Sequence, residues 1–413
     1  MHSRKTLMLA LLPAGLLAAQ SSHAFDVVPA GEPVVTGEPS RVGAPWNHRS
    51  TFNIPGTNTD VAFGGYVKFD AIHDFDYDLG EITDALAVGR EDNPKTTANE
   101  STATDGKTTF TAQESRLNFR TQTRFGDEVL RTYLEGHFAP DNKFNLRHAY
   151  GEYNGFLAGQ TWTNFMHFLG TPRILKLGGP IGYATGRPEQ VRYTHQAGPN
   201  TFAVALENPE SSISDLGPGG AVDEGSELPD LTLRYQYKRS FGISGVVRQF
   251  STNSELNGQD ESTTGFGIAA QGALPLGGST TLKGNLMAGS GLGGYLDYVP
   301  ASGAKFRAPD AYLAADGDLE AVDLQSVGLS LDHRWNASWS SSIGTSRVEQ
   351  DLADDAPAFQ GMADTVQFSH VNLIWDVNDR MTVGAEYQYI DLEKVSGEEV
   401  DASRVMASAQ FHF

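Results

Sequence analysis

Apolar and polar positions alternate with a period of two through most of the chain after Phe63, and clusters of turn residues interrupt the alternation. Leu231, Leu233, Tyr235 and Tyr237 form one apolar row, Met381, Val383, Ala385, Tyr387 and Tyr389 another, and the chain ends on a third, Val405, Ala407, Ala409, Phe411 and Phe413. Successive strand side chains point to opposite faces, so each row predicts a strand that is apolar on one side only. Sixteen are expected: 63–77, 112–124, 128–139, 145–153, 156–160, 188–196, 200–207, 229–239, 242–251, 262–273, 279–290, 321–333, 337–349, 364–376, 380–391 and 403–413. The links after even-numbered strands are short ("FGD", "NG", "AGPN", "SF", "PLGG", "WNA", "VND"), whereas most after odd-numbered strands are long. A soluble sandwich gives no reason for that alternation, while an outer-membrane barrel with periplasmic turns and extracellular loops requires it. The predicted fold class is all-β: a sixteen-stranded antiparallel transmembrane barrel over residues 61–413.

The mean hydropathy of -0.33 looks soluble. Barrels share it, because only every second strand residue meets lipid. Arg4 and Lys5 precede the apolar run "TLMLALLPAGLLAA", and Ser22 and Ala24 supply the small residues of a cleavage site, so residues 1–24 are expected to be a removed secretory signal. Residues 25–60 hold five closely spaced prolines, Pro29, Pro33, Pro39, Pro45 and Pro55, and form a leader in which no regular helix fits. A last amphipathic strand that ends on Phe413 resembles the assembly signal of bacterial barrels.

Formal net charge is -21, yet the chain writes a ladder of bases in "SRLNFRTQTR", where Arg116, Arg120 and Arg124 share one strand face. Five loops, 78–109, 208–229, 290–321, 349–364 and 391–402, together carry a charge equal to the whole -21, leaving the rest neutral on balance. Arg131, Arg192, Arg234, Lys238 and Arg248 lie on further polar faces, with Arg147 a less regular member, against the fewer acids Glu135 and Glu207. The link 161–187 contains Arg173, Lys176 and Arg187 and no acid; by analogy with sixteen-stranded channels it is expected to fold inward as a basic constriction. Rings of Arg or Lys favour anions, and the guanidinium fork matches a carboxylate. For any single Arg, pairing with a lumen acid or with lipopolysaccharide phosphate explains its presence equally well.

Several stretches are similar to the DcaP-like trimeric outer-membrane channels of Gram-negative bacteria: "IPGTNTDVAFGGYVKFDAIHDFD" (54–76), "ESRLNF", "LRHAYGEY", "GQTWTNF", "RPEQVRYT" and "ALENP" (205–209). Beyond these the resemblance is one of strand pattern. It implies a homotrimer in the outer membrane that takes up small anionic solutes, dicarboxylates or aromatic acids, with Arg116, Arg147, Arg187 and Arg192 in contact with the solute. The family's founding type is similar to a barrel preceded by a coiled-coil segment, which the Pro-rich leader cannot form.

No catalytic residue, cofactor, metal or nucleic-acid partner is expected; the expected partners are small anions, outer-membrane lipid and lipopolysaccharide. "DFDYDLGEITD" (74–84) opens like a calcium loop, but Leu79 and Ala85 stand where that loop needs Gly and Glu. Two other functions stay open: a channel for cationic or neutral solutes governed by the acidic loops, and an outer-membrane barrel hydrolase using Asp332, His333 or His370.

Overall fold

Sixteen strands meet their chain neighbours antiparallel, and the last returns to the first. The computed structural model describes residues 51–89, 101–139, 142–209, 211–215, 224–226, 228–252, 261–296, 309–314 and 316–413. The expected signal segment and the leader up to residue 50 lie outside them. The strands are β1 (Thr59–Asp74), β2 (Arg116–Phe125), β3 (Glu128–His137), β4 (Asn145–Tyr153), β5 (Phe156–Gln160), β6 (Glu189–Ala197), β7 (Asn200–Glu207) and β8 (Asp230–Tyr237). They continue as β9 (Phe241–Thr252), β10 (Ser262–Gly277), β11 (Thr280–Ser290), β12 (Asp323–Arg334), β13 (Trp339–Asp351), β14 (Ala363–Asn378), β15 (Met381–Lys394) and β16 (Glu399–His412). Pairing of β16 with β1, from Tyr66↔His412 to Asp74↔Arg404, closes the barrel, so its wall has no open side.

Alternation fixes the register. Leu233, Val247, Ile268, Leu286, Val327, Leu329 and Ile343 are exposed on the outside, as lipid-facing residues must be. Their neighbours Ser244, Gln271, Asn285, Ser326, Ser330 and Ser342 are buried inside. A slip of one residue would exchange the two sets.

The wall has uneven height. β1, β10 and β14 run for 16 residues, whereas β5 has 5 and β7 and β8 have 8 each. At about 3.3 Å per residue the tall strands outreach the low ones, and the long loops lie together at one end of the barrel. There Ile213–Asp215, Ala311–Leu313 and Leu319–Ala321 build a small three-stranded sheet from two different loops. At the opposite end Thr51–Asn53 pairs with the start of β1, so the last part of the leader belongs to the wall. Lys107–Thr111 pairs with the upper part of β1 before β2 takes over, a short strand that precedes the second expected one, which itself begins at Arg116 and not at residue 112.

Candidate functional site

β5 leaves the wall after only five residues, and the chain that follows is rich in apolar side chains. Trp162, Phe165, Met166, Ile174, Leu175, Ile181 and Tyr183 are all buried, which an external loop could not achieve. Segment 161–187 instead crosses the lumen, tied to inward-facing residues on one strand after another. Glu207 on β7 accepts from the Asn164 amide and the Thr163 hydroxyl, each at 2.6 Å. Ser244 on β9 donates to the Phe165 carbonyl at 2.5 Å, and the Gly170 amide donates to Gln271 on β10 at 3.1 Å. Ser326 on β12 donates to the Gly182 carbonyl.

The tip, 173–177, is held by charge on three strands. Arg173 grips Asp376 on β14 through both terminal nitrogens, at 2.5 and 2.9 Å. Buried Glu386 on β15 accepts from the amides of Leu175 and Lys176, at 2.7 and 3.3 Å. Lys68 on β1 donates to the Leu175 carbonyl at 2.9 Å and is itself paired with Glu114. Hydrogen bonds to ionised groups are the strong ones, so these clamps fix the tip. Two glycines make room for it: a Cβ on Gly242 would stand 2.4 Å from the His167 ring, and one on Gly328 would stand 2.6 Å from the Tyr183 ring. Burial, with the Arg234 charge second, holds His167 far below the ordinary imidazole range, at about 3.

Two other loops join this segment. Leu79 and Ala85 to Val88 from the loop after β1, and Leu292, Tyr295 and Leu296 from the loop after β11, form one apolar cluster with it. The wall contributes Val246, Ala269, Met287, Leu324, Val348, Phe368, Ile390 and Ala402, which face inward from β9 to β16. Each fully buried large side chain contributes roughly 1.5–3 kcal/mol, so this half of the lumen is a packed core.

The other half, β1 to β8, carries the bases. On one cross-strand row Arg120 precedes Tyr133 and Tyr150; on the next, towards the short turns, Arg131, Glu152, Leu157 and Arg192 follow one another. Arg120, Arg131, Arg187, Arg192 and Arg234 are partly exposed. Aromatic faces back two of them: Arg120 lies 5.3 Å from the Tyr133 ring centre and Arg187 4.6 Å from that of Trp162. Arg192 and Arg234 reach the Trp162 and Met166 carbonyls, both at 3.4 Å, at the root of the inward segment.

The remaining predicted residues sit elsewhere. Arg116 and Arg147, 3 % and 1 % exposed, share Glu135 at 3.5 and 3.1 Å inside the wall. Arg147 gets there through a β-bulge: Leu146 pairs with Gly136 and His148 with Glu135, leaving Arg147 as the extra residue, turned inward beside His148. Arg124 pairs with Asp60 at 2.7 Å on the turn-side rim, and its side chain is half exposed. Lys176 is buried and donates to the Leu177 carbonyl at 3.1 Å, so neither it nor Arg173 stands free on the basic wall. Arg248 is consumed by Asp230 and Asp310, at 2.9 and 2.7 Å. Sequence reasoning missed Lys68, Arg404, Glu114 and Glu386; the alternation of Tyr66, Lys68 and Asp70 in "YVKFD" could have placed Lys68 inside.

The other chemistries find little support. Asp74 is bound by Arg404 at 2.6 Å, and among the described residues no group of His, Cys, Asp or Glu is placed to hold a metal. Ser342 and His370 meet at 3.0 Å, but both are buried, the imidazole Nδ1 has no partner, and Asp332 is engaged by Lys283. A nucleophile needs a base that a third group orients and a substrate can reach, and this pair has neither.

No curated protein matches the chain. Among solved structures, the DcaP channel of Acinetobacter baumannii superposes with a TM-score of 0.72 at 22% identity, covering 88% of this chain and 100% of that one. The trimer form of Vibrio cholerae OmpT follows at 0.53 and 14% identity, covering 86% and 99%, and an anion-selective porin from Comamonas acidovorans at 0.52 and 12%, covering 86% and 100%. These likenesses establish the porin barrel. The sequence match to the DcaP outer membrane protein family runs over residues 47–413, and so this outer-membrane channel belongs to that family.

Proposed function

We propose that the channel admits small anionic solutes, carboxylates above all, by passive diffusion along the β1–β8 wall, and that it works as a homotrimer. The observation that carries the reading is the strip formed by Arg120, Arg131, Arg187, Arg192 and Arg234, opposite a half-lumen closed by apolar packing. A solute is thus forced past guanidinium groups in a narrow passage whose walls screen charge poorly. The planar fork of Arg suits two-point contact with a carboxylate, and Tyr133 and Trp162 hold two of the forks in place. Segment 161–187 narrows the passage as a wedge in which Arg173 is paired with Asp376 and Lys176 is buried, so the constriction takes its charge from Arg187 and the wall. The anion-selective porin from Comamonas and the trimer form of OmpT support the two halves of the proposal.

Liposome swelling tests it. Vesicles containing the purified protein should swell faster in succinate or phthalate than in lysine of similar size; the reverse order would mean that the acidic loops govern entry.

A further inference from the structure

Among the described residues of β1–β8, Glu152 is the one carboxylate that faces the lumen away from the rims and is neither buried nor ion-paired. Asp70, Glu135, Glu207 and Asp230 are buried with polar or charged partners, and Asp60 is held by Arg124 at the rim. Glu152 is partly exposed; Arg131 is its cross-strand partner on β3, and Arg192 stands beyond Leu157 on the other side. It feels the charges of Arg192 and Arg131, yet none of the three closes an ion pair. A structural salt bridge would have closed. A carboxylate left open between two lumen arginines sits where a solute carboxylate would sit.

We propose that Glu152 is a release group and a determinant of specificity: it competes with a passing carboxylate for Arg131 and Arg192 and so shortens the dwell of anions at the turn-side end of the strip. Conduction requires sites strong enough to enter and weak enough to leave; a strip of arginines without a counter-charge satisfies only the first requirement. Repulsion between two carboxylates grows with solute charge, so dicarboxylates are released faster relative to monocarboxylates than the bases alone would allow. This inference rests on the anion reading above.

The test is single-channel recording of wild type, Glu152→Gln and Glu152→Ser in potassium chloride, with succinate on one side as the blocking probe. Both variants should lengthen the succinate block by roughly fivefold and move the reversal potential further towards anions, and Glu152→Asp should restore the short block. Glu189→Gln, which removes an outward-facing carboxylate, should behave as wild type. Unchanged block times in both Glu152 variants, with wild type still anion-selective and blocked by succinate, would overturn the release role alone. A wild type that is neither anion-selective nor blocked would overturn the anion reading and this inference together.

Discussion

Arg173 and Asp376 lie 203 residues apart in the chain and meet in a two-pronged ion pair, at 2.5 and 2.9 Å. The pair joins the tip of the inward segment to the tall wall. Arg173→Ala should leave Asp376 without its main partner, costing about 1–3 kcal/mol, and should widen the passage. Single-channel conductance should rise and the melting temperature of the purified protein should fall. Removing both partners should cost less than the two single changes added together.

The socket for the segment depends on missing side chains. Gly242→Ala would place a methyl group 2.4 Å from the His167 ring, against backbone held in β9. Overpacking of this kind costs about 1–3 kcal/mol. Conductance should become noisier, because the segment must lift to make room; quiet channels of wild-type size would show that the contact is slack.

Acid should loosen the same contact. His167 titrates at about 3 in the folded protein, against about 6.5 when unfolded. The unfolded or unseated state therefore binds more protons between these values, so stability is present above pH 6.5 and is lost as pH falls towards 3. Closure of the segment should weaken by an amount on the order of 3 kcal/mol between pH 7 and pH 4. Proteolysis of the 161–187 segment in folded barrels, followed across that range, should accelerate in wild type and much less in His167→Gln.

Arginines on the same lumen wall should divide into two kinds. Arg120→Gln with Arg131→Gln should lower anion preference and leave the melting temperature nearly unchanged, since both are partly exposed. Arg116→Gln should instead mainly destabilise, because Glu135 loses one of two buried cations. Selectivity falling equally in both cases would contradict the division. Arg124→Gln, at the rim, should change neither.

Much of this architecture is legible in the sequence. Period-two alternation gives all sixteen strands, and the contrast of short and long links gives the topology, since both are local. Strand parity likewise places Arg116, Arg120, Arg131, Arg192 and Arg234 on the inner face. Parity fails at Arg147, because the bulge inserts one residue and turns both Arg147 and His148 inward. It also says nothing of distant partners. The clasp of Arg173 by Asp376, of Leu175 by Glu386 and Lys68, and the filling of half the lumen by three loops are made by residues far apart in the chain. What distinguishes Arg116, buried against Glu135, from Arg131, open beside Glu152, is packing that no neighbouring residue encodes.

The central claim is that the basic wall of β1–β8, and not the acidic loops, sets which ions pass. The most direct measurement is the reversal potential of wild-type channels in a planar bilayer across a potassium chloride gradient. A potential towards the chloride equilibrium value, reduced in the Arg120→Gln, Arg131→Gln double variant, is the predicted result. A potential towards the potassium value would contradict it, and would make the loops that carry the chain's -21 the selective element.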